Sequence, residues 1–182
     1  ALSFATQPRW RQLPGGAGFS ARGDCAAAVD SAGDRLLVFG GRLNRGVTSA
    51  VNSAFGIKVP ASEKELSASP LGEVWELGLE SGKEWRKLGT TGIPPALFSG
   101  AAVACDPLAR RLIVFGIAPD SSGSQAWELP LAGPPAWRRL AWDGEGPAGH
   151  DHPLLCTDGG MLVMEGGNDR GGHELLDLWT LT

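Results

Sequence analysis

Glu165, Asp169 and His173 are spaced four and four along the chain. Two carboxylates and one imidazole form a donor set that suits ferrous iron, with coordination positions left open for a substrate. A second group, His150, Asp151 and His152, offers two imidazoles and a carboxylate. Alternation along an extended strand sends the two histidines to one side and Asp151 to the other, and two ligands alone make a weak metal site. The remaining unusual side chains are Phe19, Arg22, Arg42, Asn44, Arg45, Asn168 and Arg170. Their chemistry is recognition rather than bond making, since arginine and aromatic side chains anchor protein interfaces. No Gly-x-Ser-x-Gly, Cys–His pairing or phosphate loop is present.

The elements that must hold these residues are repeats. Trp10-Arg11-Gln12-Leu13, Trp85-Arg86-Lys87-Leu88 and Trp137-Arg138-Arg139-Leu140 share one pattern, and Trp75, Trp127 and Trp179 recur at a fixed interval between and beyond them. A third piece is an apolar run ending in glycine, at Arg35 to Gly41, Arg111 to Gly116 and Met161 to Gly167. Self-similarity at about 50 residues suits a four-stranded propeller blade. In these three pieces the chain resembles the kelch-repeat family, over nearly its whole length. The resemblance implies an all-β architecture of kelch-type β-propeller blades, each of four antiparallel strands a to d, with three blades in this chain. It implies no single activity, because the fold hosts scaffolds, enzymes and sugar binders alike.

Within that family the spacing of Glu165, Asp169 and His173 is similar to the Glu-x-x-x-Asp-x-x-x-His iron site of plant specifier proteins. The family's glutamate follows the glycine pair, whereas Glu165 precedes Gly166-Gly167 and takes the place of Phe39 and Phe115, so Asp169 and His173 alone carry over. A carboxylate at that place needs a partner, and Arg170 or an arginine of a neighbouring blade is the expected one. Gly149-His150 resembles the Gly-His at the start of a kelch a strand, where the imidazole stabilises the loop. With no tyrosine in the chain, the redox tyrosine of galactose-oxidase-like kelch enzymes is missing, which excludes that class.

The expected strand order is a d strand at 9–13, then blade units at about 20–88, 97–140 and 148–182, the last completed by the N-terminal strand so that no sheet edge stays bare. Asp30 to Asp34, Asp106 to Ala109 and Thr157 to Gly160 have the aspartate and glycine chemistry of tight turns. Ile117 replaces the second glycine of its repeat, so that turn is expected to avoid positive φ. Propellers have about four to eight blades; three imply a homodimer of three plus three, or a partner chain or further sequence that completes the ring. The d-to-a and b-to-c loops share one face and carry most of the unusual residues. Residues 42–70 form an inserted loop too long for a hairpin, either an unstructured flap or an arm that contacts a partner.

A net charge of −4 with no basic cluster excludes nucleic acid as a partner, and no apolar run reaches the 18 residues of a membrane span. Cys25, Cys105 and Cys156, set among small apolar residues, are expected as buried reduced thiols, which favours a reducing, cytoplasmic setting. Together these observations point to a scaffold without catalytic residues or a resident cofactor, binding protein partners through the loop face. The alternatives are a ferrous-iron lyase-like or sugar-binding propeller and a structural subunit of a larger assembly.

Overall fold

The structure, a computed structural model, describes residues 19, 22–43, 72–79, 84–97, 100–118, 123–158, 160–169 and 171–182, with backbone alone at 42 and 43. Among these residues there is no helix, and the strands form three antiparallel sheets. The first sheet runs β1 (Arg22–Asp30), β2 (Arg35–Leu43), β3 (Val74–Gly78), β4 (Arg86–Lys87), in that order across the sheet. The second repeats it with β5 (Ala102–Asp106), β6 (Arg111–Ile117), β7 (Ser124–Pro130) and β8 (Arg138–Leu140). The third has β9 (Leu154–Thr157), β10 (Leu162–Glu165) and β11 (Leu178–Leu181). The expected d strand at 9–13, the Trp10 repeat and most of the 42–70 insertion lie outside the described residues.

Register makes the three sheets superimposable by sequence. Val29 pairs with Leu36, Cys105 with Leu112 and Thr157 with Leu162, while Trp75, Trp127 and Trp179 sit opposite Val38, Val114 and Met164. Each a-to-b hairpin is closed by an aspartate at one equivalent position. Asp30 Oδ1 accepts the Gly33 amide, Asp106 Oδ1 those of Leu108 and Ala109, and Asp158 Oδ1 those of Gly160 and Met161. This is the local competition between side chain and backbone that makes aspartate a turn residue.

The innermost strands lie side by side, β1 against β5 and β5 against β9. Alternation gives each sheet two apolar faces, which stack. Leu37, Phe39 and Val74 of the first sheet pack with Val103, Leu112, Val114, Leu129 and Trp137 of the second. Ala104, Ile113, Phe115 and Ala126 of the second pack against Leu162 and Met164 of the third. Farther out, Thr91 bridges to the second sheet, its amide donating to Pro135 O and its carbonyl accepting from Trp137 N.

At one rim of each of the first two sheets, a charge ladder crosses the strands. Arg35 reaches Asp30 Oδ2 through Nε at 2.9 Å and Glu76 Oε2 through Nη1 at 2.6 Å, and Arg86 binds the other oxygen of Glu76. Arg111 repeats the fork to Asp106 and Glu128, with Arg138 beyond it at 3.9 Å. Burial opposes the Arg35 charge, but the hydrogen bonds to Glu76 and Asp30 outweigh it and hold its pKa above the ordinary value. In Arg111 the bond to Glu128 leads, in the same direction. Arg86 and Arg138, from the repeated Trp-Arg tetrapeptides, end these ladders at solvated positions, 78% and 68% exposed, and Arg11 lies outside the described residues.

Two further expectations change. Cys25 and Cys156 are exposed, not buried, because each sits on the outward face of an end sheet. Cys105 lies between sheets, and burial pushes its thiol up to about 12, so it is inert at neutral pH.

Candidate functional site

The starts of the three innermost strands converge on the loop face. By register Asp24, Gly100 and His152 are equivalent, one from each sheet, and all three are left-handed, with φ of +53°, +57° and +54°. Glycine takes that conformation freely, whereas aspartate and histidine are held there by their surroundings. The His152 amide donates to Gly100 O at 2.9 Å, and its ring lies between two carboxylates, Nδ1 3.2 Å from Asp151 and Nε2 3.9 Å from Asp24 on the first sheet. A Cβ at position 100 would meet the Asp151 carboxylate and the His152 ring, so a side chain there would push both aside. His152 and Asp24 remain half exposed.

One step earlier on the strand, Arg22 and His150 are equivalent, and they perform one task with different chemistry. Each binds the carboxylate two residues before the repeated tryptophan of its sheet. Arg22 Nη1 donates to Glu73 Oε1 at 3.0 Å and His150 Nε2 lies 2.9 Å from Asp177 Oδ1, while the indole N–H groups of Trp75 and Trp179 donate to the same two carboxylates. In the second sheet the acceptor of the Trp127 N–H is the neutral Gln125, at 3.1 Å, and the position equivalent to Arg22 is Phe98, which lies outside the described residues. The charge partner and the charged acceptor therefore change together. Burial opposes it, yet the bonds from Lys87, Trp75 and Arg22 hold the Glu73 carboxyl below its ordinary range, and His150 followed by Trp179 does the same for Asp177.

This geometry redistributes the residues singled out in the sequence. Arg22 is not a surface anchor: its side chain is 3% exposed, also donates to Gly40 O, and lies 4.6 Å over the Phe19 ring. Phe19 is itself stacked on Trp85 at 4.1 Å and edge-on to Trp75, so both residues build the first sheet. His150 and His152 do not share a side. His150 is buried, with Nδ1 finding no partner among the described residues, and His152 points outward, because the left-handed backbone at His152 breaks the alternation. The backbone of Arg42 pairs with Gly23, whereas Asn44, Arg45 and Arg170 lie outside the described residues.

Asn168 and Asp151 exchange both backbone hydrogen bonds at 2.8 Å, tying the b-to-c loop to the start of the inner strand. Beyond Asn168 the chain turns on Asp169, whose Oδ1 accepts the His173 amide and whose Oδ2 lies 2.9 Å from His173 Nδ1. Glu165 is not joined to them. It is exposed on the far face of β10, needing no counter-charge there, and among the described residues no three histidine, cysteine, aspartate or glutamate side chains gather where a metal ion could sit. The three-residue ligand set expected from the spacing of four is therefore corrected to an Asp169–His173 pair.

The bond to Asp169 raises the His173 pKa and the bond from His173 lowers that of Asp169. We expect the His173 ring, followed by NMR, to titrate above the ordinary value of about 6.5, and Asp169→Asn to bring it back; an unchanged midpoint in that variant would refute the contact.

The glycine-tipped runs position these loops. Gly40-Gly41 and Gly166-Gly167 are all left-handed, at +68°, +91°, +57° and +96°, whereas Gly116 and Ile117 stay within β6 without positive φ. An apolar cavity of about 110 Å3 between the second and third sheets, lined by Phe115, Trp142, Leu155, Met164 and Trp179 among others, is smaller than a small-molecule site of about 300 Å3 or more.

No family model matches the chain, and neither does any curated protein. Among solved structures the chain is similar to one titled "Structure of YjhT", with a TM-score of 0.49 and 15% identity. The match covers 91% of this chain and 43% of that one, so the chain spans less than half of that protein's length.

Proposed function

We propose that this chain is a set of three kelch-type propeller blades acting as a protein-binding scaffold through its loop face. The observation that carries the reading is the convergence of Asp24, Gly100 and His152, one from each sheet, in a shared left-handed geometry that leaves two polar side chains half exposed beside the Asn168 to His173 loop. Rigid strands presenting variable polar loops on one side are the arrangement in which binding surfaces arise. The buried side chains of the same loop face, Arg22 and His150, bind Glu73 and Asp177 and hold the strand starts in place.

The test uses a variant that keeps the backbone geometry while removing the side chains: Asp24→Gly, His152→Gly and His173→Ala together. Partners captured by the native chain, quantified by mass spectrometry, are expected to bind this variant at least tenfold less, about 1.4 kcal/mol. Leu108→Ser, on the exposed turn at the opposite rim, is expected to bind normally. A partner retained equally by both variants, or no specific partner of the native chain, would reject the loop face as the binding surface.

A further inference from the structure

The second and third sheets meet around a cavity at the place where the first and second sheets hold a tryptophan. Trp137, the first residue of its Trp-Arg-Arg-Leu repeat, is buried in one core cluster with Phe39, Val74, Val103, Leu112, Val114 and Leu129. By register the equivalents of those six residues between the second and third sheets are Phe115, Ala126, Leu155, Leu162, Met164 and Leu181. All of them line the cavity of about 110 Å3. The equivalent of Trp137 itself would belong to a fourth strand of the third sheet, and no described strand lies beyond β11.

The edge of β11 matches the rest of the same repeat. β4 and β8, the outer strands of the first two sheets, come from Trp85-Arg86-Lys87-Leu88 and Trp137-Arg138-Arg139-Leu140, and Leu140 sits opposite Ala126. The equivalent of Ala126 on β11 is Leu178, which is 66% exposed. The chain carries one more copy of the pattern, Trp10-Arg11-Gln12-Leu13, which lies outside the described residues. We propose that this segment docks along β11 as the fourth strand of the third sheet, with Trp10 entering the cavity opposite Leu181 and Leu13 covering Leu178. Main-chain pairing along a sheet edge gives such a strand its affinity, and pockets for alternate side chains give it specificity. A cavity too small for a small molecule accepts one side chain. Arg11 would meet Thr180, where Arg86 and Arg138 meet Glu76 and Glu128, so the tryptophan and the leucine anchor the strand rather than the arginine. This docking uses the outer edge of the third sheet and does not depend on the loop-face reading.

Two cysteine pairs, each in a chain carrying Cys25→Ser and Cys156→Ser, test the register. Leu13→Cys with Leu178→Cys is expected to form a disulfide at least tenfold faster on mild oxidation than Gln12→Cys with Leu178→Cys. Directly opposed residues lie within disulfide range, and a shift of one residue turns the side chain to the other face. A product of 19.0 kDa or of twice that mass supports the docking alike and reports which copy donates the strand. A fluorescent peptide of residues 7–14 tests the socket. It is expected to bind the Trp10→Ala chain, to bind the native chain at least tenfold more weakly because the native segment competes, and to lose its binding when its own tryptophan is replaced by alanine. Equal oxidation of the two cysteine pairs, a peptide whose binding ignores its tryptophan, or one that binds the native and Trp10→Ala chains alike would each overturn the proposal.

Discussion

Arg35→Ala is expected to lower the free energy of unfolding by about 3–5 kcal/mol, the range for removing one partner from a buried charge group. Its guanidinium is the shared cation of two carboxylates whose side chains are 3% and 6% exposed, Asp30 and Glu76. Without it Asp30 would stay buried with no cation, and Glu76 would keep only the contact of one oxygen with Arg86. Arg86 reaches only one oxygen of Glu76 and is itself 78% exposed, so it cannot take over. The measurement is the denaturant midpoint at neutral pH, with the slope checked for an unchanged extent of unfolding.

Position along the ladder sets the size of the effect. Arg111→Ala, in the same fork but 34% exposed, is expected to cost less, and Arg86→Ala at the solvent end no more than about 1 kcal/mol. Arg35→Lys separates charge from shape, because an ammonium cannot serve Asp30 and Glu76 with a rigid fork; an intermediate loss is expected. The third sheet is the natural control. At the positions of Arg35 and Glu76 it has Met161 and Thr180, and its remaining aspartate, Asp158, is exposed. The cation and the central carboxylate are absent together, as they must be where neither can be buried alone. Equal losses from Arg35→Ala and Arg86→Ala would show that the ladder is held by solvated pairs rather than by its buried centre.

What could be read from the sequence follows the range of the forces involved. Strand alternation, aspartate turns and glycine tips act within a few residues, so the sheets and their hairpins were legible, and fixed spacing of tryptophans carried their repetition. The ladder was not legible as a unit, although Asp30, Arg35 and Glu76 all recur in the second repeat as Asp106, Arg111 and Glu128, because the fork joins residues 41 apart in the first sheet. Arg22 failed as a surface anchor for the same reason: its partner Glu73 is 51 positions away. The histidines failed differently. Alternation is a rule for extended backbone, and it lapses at His152, where φ is positive and the ring turns out as His150 turns in. Exposure of Cys25, Cys156 and Glu165 depends on which sheets have neighbours, which no local pattern encodes.

Gly167→Ala is the substitution expected to disturb the loop face most, at about 3 kcal/mol. The position has φ of +96°, which an alanine adopts only under strain, and a Cβ there would lie 2.6 Å from Asp151 O and 3.1 Å from Pro153 N. Both obstacles are backbone, so no rotamer change relieves them. The chain must instead part the paired Asp151 and Asn168 bonds, and Asp151 neighbours the left-handed His152 that meets Asp24 and Gly100. Gly172→Ala isolates the conformational part, since its φ is +80° and a Cβ there meets nothing within 4 Å; its expected cost is about 1 kcal/mol. The difference between the two variants measures the steric contribution of the close approach. If Gly167→Ala were no more destabilising than Gly172→Ala, the b-to-c loop would be free to move away from the inner strand, and the convergence of Asp24, Gly100 and His152 would lose its support.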